Sequence, residues 1–415
     1  MSDAIAPFVV PPVTLIGHPN ITMGRGEHIR AVWRAFRAAG ITTRIYNLHG
    51  QSAPEEPAFQ ELVPHTITEI PDGIRIFHLN GDELAGAIEN LERRQSGVFR
   101  AGHNIAFPAW ELPRYPEEWA CQLERFNEVW AASAFVESSL RAAVSVPVIH
   151  LTNACEPHLV APLPRKHFGL DESRFLILFF FDLFSYTSRK NPLAAIETFR
   201  RIVAARPSAD IQLVLKLNNT AHDPSVLSKL HEAIIGLGDR VTLLDATLTD
   251  NEVKSLIRYC DCFLSLHRSE GFGRGPAEAM FFGKPVVATG WSGNMEYMNA
   301  EVSFPVGFDL IPVNEGEYPA WQNQHWAEPK ISDAVGALLR IIDEPALART
   351  VGERARIHMQ TNFSDQVLGF RYRERVREIV ENNFASGKRT NMPIHMSMYR
   401  LFLERARFFW KTILG

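Results

Sequence analysis

Two glutamates lie in a segment that is otherwise apolar and rich in glycine. Glu270 and Glu278 bracket a loop with three glycines and a proline in HRSEGFGRGPAEAMFFG. An ionised carboxylate only accepts hydrogen bonds, so two of them suit two separate sets of hydroxyl donors, such as those of a sugar and a ribose. Gly271, Gly273 and Gly275 would let a ligand approach backbone N–H groups, which suit phosphate. The alternative is an acidic residue that stabilises a helix dipole, which would explain Glu278 but not Glu270.

A strand and a short helix are expected to position the two carboxylates. Glu270 follows the stretch DCFLSLH, which is typical of a buried strand, and Pro276 suits the first turn of a helix that would contain Glu278 in that turn. Gly283 fits the end of this helix. Because ligands of parallel α/β sheets bind beyond the carboxyl ends of the strands, this loop is where a ligand is expected.

The rest of the chain alternates strand-like and helix-like segments in two runs. In the first run, the strand VTLIGH precedes a glycine loop and a helix whose apolar residues recur at helical spacing from Ile29 to Phe36. A proline-bearing stretch from Cys155 separates it from the second run, which opens with FLILFFF. Two such runs predict an α/β protein with two doubly wound domains that face a cleft. Further strands of the first run are expected at 74–79, 98–104 and 146–154.

Composition argues against several classes of protein. The 415 residues carry a formal net charge of -4, so no basic field indicates nucleic acid. FLILFFF is too short to cross a bilayer and the N-terminus lacks a basic signal-peptide region, so a cytoplasmic location is expected. The cysteines form no CxxC pair and are expected to be thiols in a reducing compartment rather than a metal site. They are Cys121, Cys155, Cys260 and Cys262.

Several motifs together resemble the retaining enzymes of glycosyltransferase family 4, which have the two-domain GT-B fold. EGFGRGPAE fits the E-x7-E signature of that family, and FFGKPVVATGWSGNMEYM resembles the segment that follows it. WAEPKISDAVGALLRIIDEP and FSDQVLGFRYRERV resemble its closing segment, where a helix crosses back to the N-terminal domain. HNIAFPAWELPRYPEEW and EVWAASAFVESSL extend the resemblance into the N-terminal half.

The resemblance implies a GT-B fold of two Rossmann-like domains with a C-terminal crossover helix. It also implies transfer of a hexose from a nucleotide-diphosphate sugar to a glycan or lipid-linked acceptor, in the synthesis of cell-surface polysaccharide or glycoconjugate. No metal or other cofactor is expected, because the sequence offers no DxD pair for a metal–diphosphate contact. The expected divisions are an acceptor-side domain at 1–155, a nucleotide-sugar domain at 156–365, and the crossover helix with an amphipathic tail at 366–415.

The two glutamates receive roles from this resemblance. Glu270 would bind hydroxyls of the donor sugar, and Glu278 would bind the hydroxyls of the ribose. No covalent glutamyl intermediate is expected, because no buried acid is placed for attack as in glycosidases. The backbone groups that would approach the sugar and the diphosphate are those of Gly271, Phe272 and Gly273.

Cations are needed to neutralise the leaving diphosphate. The family usually offers an arginine and a lysine several residues apart, whereas FDLFSYTSRKNP supplies Arg189 and Lys190 side by side. Lys190 fits the lysine position, but the arginine position holds Phe or Ser. Arg189, Lys216 or Arg274 are the candidates for the second cation, and each could equally be a solvated surface charge.

A histidine of the N-terminal half is a further catalytic candidate. His103 ends the expected strand VFRAGHN, beside Asn104, where the family carries a histidine that faces the donor sugar. The alternative for a single histidine is a polar residue whose hydrogen bonds are satisfied within the fold.

The acceptor-side candidates come from two loops. MGRG, with Gly24, Arg25 and Gly26, resembles the first glycine loop of the family, which faces the cleft. FPAWELP supplies Trp110 and Glu111, and an aromatic ring beside a carboxylate suits a sugar acceptor but equally suits a packed turn.

Two other functions remain open from the sequence. One is a GT-B nucleotide-sugar epimerase, although such enzymes lack this E-x7-E spacing with FGRGP inside it. The other is a non-catalytic sensor of sugar nucleotides, against which the presence of His103, Lys190 and both glutamates argues.

Two basic segments suggest contact with a membrane surface or an anionic acceptor. Arg30, Arg34 and Arg37 form a stripe at helical spacing, which is usually a solvated face but could steer an anionic lipid acceptor. The tail Met396–Gly415 has an apolar helical face and four basic residues, so it would either pack on the N-terminal domain or lie at a membrane interface.

Overall fold

The first half of the chain folds around a parallel sheet. The computed structural model describes residues 12–22, 24–100 and 102–384. Among these residues, seven parallel strands form the first sheet in the order β3-β2-β1-β4-β5-β6-β7. The strands are Val13–Gly17 (β1), Thr43–Asn47 (β2), Thr66–Ile67 (β3), Ile74–Phe77 (β4), His103–Ala106 (β5), Glu128–Ala131 (β6) and Val148–His150 (β7). The α-helices are Gly24–Ala38 (α1), Pro57–Gln60 (α2), Gly81–Arg94 (α3), Glu117–Leu123 (α4) and Ala134–Arg141 (α5).

The second half repeats this architecture. Six parallel strands of the described residues form a second sheet in the order β10-β9-β8-β11-β12-β13. They are Phe175–Asp182 (β8), Ile211–Asn218 (β9), Val241–Asp245 (β10), Cys262–Ser265 (β11), Val286–Thr289 (β12) and Phe304–Val306 (β13). The helices between them are Thr187–Lys190 (α6), Pro192–Ala205 (α7), Pro224–Ala233 (α8), Asp250–Tyr259 (α9) and Arg274–Phe281 (α10). In both sheets the strand order reverses beside the first strand, which places a crevice at the carboxyl ends of the strands.

Local chemistry explains the main elements of the second sheet. In β8, Phe179 and Phe181 lie in the core beneath α7, while Phe180 packs against Phe263, 5.3 Å away between ring centroids. A strand that is apolar on both faces is what a parallel sheet covered on both sides requires. At the start of α9, the Thr249 hydroxyl accepts the N–H of Glu252 in a capping box. The strand predicted from FLILFFF is therefore confirmed.

A hairpin and three helices follow the second sheet. The antiparallel strands are Phe308–Pro312 (β14) and His325–Pro329 (β15), and the helices are Ile331–Asp343 (α11), Pro345–Phe363 (α12) and Asp365–Ile379 (α13). The hairpin was not anticipated from the sequence. Its connecting segment carries Tyr318, which contacts the N-terminal half, as described below.

The helix α13 crosses back to the first half of the chain, as predicted. The Tyr372 hydroxyl donates to the carbonyl of Thr152 at 2.7 Å, and its ring stacks on Trp130 at 5.7 Å between centroids. Arg375 pairs with the buried carboxylate of Glu128. These contacts anchor the C-terminal helix to the strand β6 and to the segment that follows β7.

Two local expectations about strand and helix ends are wrong. Residues Val98–Arg100 form a turn of 3-10 helix, and the strand begins only at His103. The helix α10 begins at Arg274, so Glu278 lies in its second turn rather than its first. Gly273 has a φ of 83° and precedes this helix, which allows the chain to enter it two residues before Pro276.

The chain divides into two compact units after Val376. The described residues of the second unit, from Arg377, form the end of α13 and the π-helix Val380–Phe384. The predicted amphipathic tail Met396–Gly415 lies outside the described residues, so its packing stays a prediction. The domain boundaries at residues 155 and 365 also remain predictions, although β7 ends before the first of them and β8 begins after it.

Candidate active site

Glu270 lies between two cations at the carboxyl edge of the second sheet. Its Oε2 accepts a hydrogen bond from Nη1 of Arg189 at 3.1 Å, and its Oε1 accepts one from Nζ of Lys190. Both cations follow β8 and Glu270 follows β11, so adjacent strands bring them together. The structure therefore places Arg189 beside Lys190 at Glu270, and its role as the second cation stays a prediction.

The charge state of this cluster follows from its surroundings. Burial would raise the pKa of Glu270, but the charges of Lys190 and Arg189 outweigh burial and lower it to about 2. Burial also acts against the charge of Arg189, yet Glu270 and Glu111 raise its pKa above the ordinary value. Glu270 is thus ionised at neutral pH and presents oxygens that only accept hydrogen bonds.

A strained turn holds the two cations. Tyr186, the residue before α6, has a φ of 63°, which is rare for a bulky side chain. Its carbonyl accepts the N–H groups of Arg189 and Lys190, each at 3.1 Å. Asn191, at the other end of α6, also has a positive φ of 54°. Two left-handed residues therefore fix a single helical turn that aims both cations at Glu270.

The loop after β12 fixes the backbone of Glu270. Ser292 has a φ of 75°, and its Oγ accepts the N–H of Glu270 at 2.9 Å. The N–H of Gly293 donates to the carbonyl of Glu270 at 2.8 Å. A Cβ on Gly293 would lie 1.9 Å from the carbonyl oxygen of Gly271, so only glycine allows this approach. Strain of this kind gathers where a site must be held in place.

The glycines inside the E-x7-E segment meet requirements of the protein's own packing. A Cβ on Gly271 would lie 2.6 Å from the carbonyl oxygen of Trp110, in the first half of the chain. Gly273 has a φ of 83°, which favours glycine. A Cβ on Gly275 would lie 2.9 Å from the ring of Phe263. The sequence interpretation attributed these glycines to close approach of a ligand, whereas the protein already needs all three.

Glu278 pairs with a cation of its own. Nη2 of Arg274 donates to Oε1 of Glu278 at 3.0 Å and lies 3.4 Å from Oε1 of Glu27, at the start of α1. Nη1 of Arg274 donates to the carbonyl of Ala154 at 3.0 Å. Burial raises the pKa of Glu278, although the charge of Arg274 opposes this. Arg274 therefore lies with Glu278 and the first domain, and a role beside Lys190 is not supported.

The expectation of an exposed basic stripe on α1 is wrong, because two of its three arginines are buried around Glu27. Arg34 donates to Oε1 of Glu27 at 2.5 Å, and Arg30 donates to Oε2 at 2.9 Å. Lys254 of the second half lies 3.7 Å from the same carboxylate. Arg37 alone of the three is exposed, with 64% of its side chain accessible. The stripe therefore neutralises a buried charge cluster and offers no continuous surface for a membrane or an anionic acceptor.

Lys216 lies apart from the pair of cations. It is buried in β9, paired in register with Phe180 of β8. Burial lowers its pKa, and the carboxylates that oppose this are Asp182 and Asp245. The structure thus gives Lys216 acidic neighbours of its own, on the side of β8 away from β11.

His103 lies at the wrong end of its strand for the predicted role. It is the first residue of β5, beside Ile74, the first residue of β4. Its Nε2 is 3.8 Å from Oε2 of Glu128, which also pairs with Arg375. The expectation failed because 98–100 form a helical turn, which shifts the strand toward the C-terminus and moves His103 to the amino edge of the sheet, away from the cleft.

Two other histidines occupy the carboxyl edge instead. His78 directly follows β4 and His28 lies in the second turn of α1, with their rings 4.7 Å apart. Both are buried, and neither ring nitrogen of His78, nor Nε2 of His28, has a hydrogen-bond partner among the described residues. Burial, reinforced by the charge of Arg274, lowers the pKa of His28 to about 3, so it is neutral. Sequence reasoning missed them because a histidine after a strand has no distinguishing spacing.

The first glycine loop lies at the same edge. The helix α1 begins at Gly24, and a Cβ on Gly26 would lie 2.1 Å from the carbonyl oxygen of Ile21. Nη1 of Arg25 donates to Oε1 of Glu83 at 2.5 Å, which ties α1 to the first turn of α3. Gly26 is therefore needed for the turn itself, and Arg25 is held by an ion pair.

Of the two candidates in FPAWELP, only Glu111 reaches the site. Oε1 of Glu111 lies 3.9 Å from Nη2 of Arg189, and its Oε2 accepts a hydrogen bond from the Tyr318 hydroxyl. Trp110 is 2% exposed and donates its indole N–H to the carbonyl of Arg114. Trp110 is thus part of the packed turn and offers no open face to a sugar.

A family model described as "Glycosyl transferases group 1" matches residues 174–314. This segment contains the residues of both carboxylate–cation groups, which are Glu270 with Arg189 and Lys190, and Glu278 with Arg274. Residues 174–314 belong to the glycosyl transferases group 1 family. The family resemblance predicted from the motifs is confirmed.

Solved structures show that the family domain is part of a GT-B fold. Anabaena HepE, crystallised in complex with UDP and glucose, is 15% identical with a TM-score of 0.63, over 88% of this chain and 99% of that one. Sucrose-phosphate synthase from Thermosynechococcus elongatus is 18% identical with a TM-score of 0.63, over 89% and 99% of the two chains. At such identities the likeness concerns the fold alone, and the predicted GT-B architecture is confirmed.

Curated proteins similar to this chain match it over part of their length. The alpha-1,3/1,6-mannosyltransferase ALG2 of Homo sapiens is 25% identical over 280 residues, which are 62% of this chain and 60% of that protein. The trehalose synthase of Thermococcus litoralis is 22% identical over 301 residues, which are 69% of this chain and 65% of that protein. The chain thus spans less than two thirds of the length of these relatives.

The remaining structural features bear on ligands and membranes. Within the described ranges, no three His, Cys, Asp or Glu side chains converge as a metal site. Nor does any helix in that part of the chain combine the length and apolarity needed to cross a bilayer. The expectation that no metal is needed stays a prediction.

Proposed function

We propose that this chain is a glycosyltransferase that moves a hexose from a nucleotide-diphosphate sugar to an acceptor hydroxyl with retention at the anomeric carbon. The observation that carries the proposal is the placement of Glu270 between Arg189 and Lys190 at the carboxyl edge of the second sheet. A carboxylate with two cations supplies both hydroxyl acceptors and diphosphate neutralisation within one cluster.

The cations would act on the leaving group. In the transfer, the bond between the anomeric carbon and the diphosphate oxygen breaks, and the acceptor oxygen forms the new bond. The proton of the acceptor hydroxyl passes to the diphosphate oxygen on the same face of the sugar. Lys190 and Arg189 stabilise the negative charge that grows on the diphosphate, so their contribution is larger in the transition state than in the bound donor.

Glu278 would hold the ribose of the donor. It is buried beside the cleft with Arg274 as its partner, and burial raises its pKa. Two ribose hydroxyls could donate to this carboxylate while Arg274 keeps its contacts with Glu27 and Ala154. The ribose thereby gains an acceptor that is already positioned by the buried charge cluster.

The N-terminal sheet would complete the site from the other side. His78, with both ring nitrogens unpartnered among the described residues, is better placed than His103 to face a donor sugar, because it follows the carboxyl end of β4. Burial lowers the pKa of His78 well below the ordinary value, so its imidazole is neutral and can donate one hydrogen bond to a sugar hydroxyl.

A donor screen tests the proposal. UDP-glucose is the first donor to try, because Anabaena HepE was crystallised in complex with it, and GDP-mannose is second, because a mannosyltransferase is among the relatives. Each donor is incubated with the full chain, with and without glycoside acceptors, in EDTA, and release of nucleoside diphosphate is measured. Metal-independent release that Glu270→Gln abolishes is expected.

Release that requires a divalent ion would contradict the metal-free mechanism, and conversion of the donor to an epimer without acceptor would favour an epimerase. Binding of a donor with neither release nor conversion would indicate a sensor.

A further inference from the structure

An exposed aromatic side chain lies at the rim of the site without a role in the donor chemistry. Tyr186 is 41% exposed although its neighbours in α6 are directed at Glu270. Its φ of 63° is held by the N–H groups of Arg189 and Lys190, which donate to its carbonyl. A glycine would relieve the strain at this position, so the ring is retained at an energetic cost.

The ring of Tyr186 belongs to a continuous row of contacts that begins at the donor carboxylate. Tyr186 packs edge-to-face on Tyr318, with 4.8 Å between ring centroids. The Tyr318 hydroxyl donates to Glu111, and Glu111 lies 3.9 Å from Arg189. Arg189 in turn donates to Glu270 at 3.1 Å. This row of contacts runs from the buried carboxylate of Glu270 to the exposed ring of Tyr186.

The exposed ring lies opposite the N-terminal half. Burial raises the pKa of the Tyr186 phenol, and the carboxylates Asp82 and Glu111 of the first half add to this shift. Asp82 is exposed in the first turn of α3. Because Tyr186 packs on Tyr318, whose hydroxyl donates to Glu111 of the first half, the ring borders the cleft rather than the outer surface.

We infer that Tyr186 and Glu111 form an acceptor subsite for a neutral pyranose, with the ring as a stacking platform and the carboxylate as acceptor for sugar hydroxyls. The identification of the bound sugar as the acceptor rests on the proposed function. The binding of a sugar at this place does not depend on it. A pyranose presents C–H groups to an aromatic face and hydroxyls at its edge, which matches the two groups present. An anionic head group such as a lipid diphosphate would face Glu111 and Asp82, and like charges at close range are unfavourable.

The chain offers a matched control two residues away. Phe184 is 48% exposed and lies in the same β8–α6 connection, but its ring packs on His222 at 4.6 Å, outside the row of contacts. Tyr186→Ala and Phe184→Ala each remove one exposed ring from this connection. Only the loss of Tyr186 should affect sugar binding.

The test is a saturation-transfer NMR titration. It measures the binding of methyl α-D-glucopyranoside and methyl α-D-mannopyranoside to the full chain without donor. At least one glycoside is expected to bind, Tyr186→Ala and Glu111→Gln are each expected to weaken it about tenfold, and Tyr186→Phe should retain it. Phe184→Ala should bind as the wild type does. Tyr186→Gly, which the positive φ favours, keeps the test valid if the alanine variant folds poorly.

Three results would overturn the subsite. The first is the absence of binding of both glycosides, and the second is unchanged binding in Tyr186→Ala. The third is loss of binding in Glu270→Gln but not in Tyr186→Ala, which would place the sugar beside Glu270. Displacement of the glycoside by farnesyl diphosphate, lost in Tyr186→Ala, would overturn the neutral class of ligand. Calorimetry with UDP and GDP on the same samples tests the proposed function separately, because a failure there leaves the glycoside titration unaffected.

Discussion

Arg274 connects two buried carboxylates, Glu278 in its own helix and Glu27 in the first helix of the chain. Its side chain is 14% exposed, and those of both glutamates are 8% exposed. One guanidinium thus neutralises the proposed ribose-binding group and simultaneously contacts the N-terminal half. Stability and donor binding are expected to be coupled through this residue.

Loss of the Arg274 charge should be costly for folding. Arg274→Met leaves Glu278 without its hydrogen-bonded cation in a buried setting, and removal of one partner of such a pair typically costs about 3 kcal/mol. The free energy of unfolding from urea titration measures this. The control is Arg206→Met, whose pair with Asp343 is 45% and 41% exposed and should contribute less than about 1 kcal/mol. Equal losses in the two variants would show that the Arg274 cluster is not a stabilising element.

The two glutamates should respond to pH in opposite directions. The pKa of Glu270 is lowered from 4.5 to about 2, so its ion pairs stabilise the fold above pH 4.5 and this stabilisation is lost as the pH falls toward 2. The pKa of Glu278 is raised, so its unfavourable contribution disappears as the pH falls through the raised value toward 4.5.

The measurement is the unfolding free energy of the wild type, Glu270→Gln and Glu278→Gln between pH 7 and pH 3. The difference between the wild type and Glu270→Gln should shrink as the solution becomes acidic, from a limit of about 3 kcal/mol. For Glu278→Gln, the unfolding free energy of the wild type should rise relative to that of the variant as the pH falls. Parallel curves for all three proteins would contradict the assigned charge states.

Nucleotide binding should separate the roles of the two glutamates. Glu278→Gln weakens a contact made equally to donor, transition state and nucleotide product, so it should reduce affinity for free nucleoside diphosphate and raise KM more than it lowers kcat. Glu270→Gln affects the sugar alone, so it should lower kcat strongly and leave nucleotide affinity nearly intact. Calorimetric titration beside steady-state kinetics decides. Equal loss of nucleotide affinity in both variants would refute the division of roles.

Lys190 should contribute mainly to turnover. Lys190→Ala removes a cation whose partner charge grows as the diphosphate leaves, and a loss of about 2–4 kcal/mol in transition-state stabilisation is expected from kcat/KM. Lys330→Ala is the control, since Lys330 makes an exposed pair with Asp309. A change in the Lys190 variant confined to KM would indicate that the lysine binds the donor without acting on its departure.

Short-range pattern was sufficient for much of the fold and for the centre of the site. The alternation of apolar strands with helices predicted two doubly wound domains, and FLILFFF forms the expected strand. Glu270 and Lys190 were identified separately, one from the E-x7-E spacing and the other from its place before Asn191 and Pro192. These signals are local because periodicity and capping depend on residues a few positions apart.

Strand register at the N-terminal sheet was not predictable in this way. VFRAGHN is as compatible with one continuous strand as with a turn followed by a strand, and a shift of a few residues carries His103 from one edge of the sheet to the other. The helical turn Val98–Arg100 is stabilised by contacts from elsewhere, including the carboxylate of Glu92, which accepts the N–H of Phe99. Tertiary context therefore decided which histidine reaches the cleft.

Contacts between the two halves of the chain were decided by the tertiary structure alone. Tyr318 and Glu111 meet across 207 residues, and Arg274 meets Glu27 across 247. A stripe such as Arg30 and Arg34 looks solvated in sequence, because nothing nearby reveals that Glu27 will be buried with Lys254 and Arg274 against it. Sequence alone determined most of the strands and helices and the chemically active residue types, since both are encoded within single turns and strands. The pairing of Arg274 with Glu27 and of Tyr318 with Glu111 depended on how the two halves of the chain approach each other, which no local pattern records.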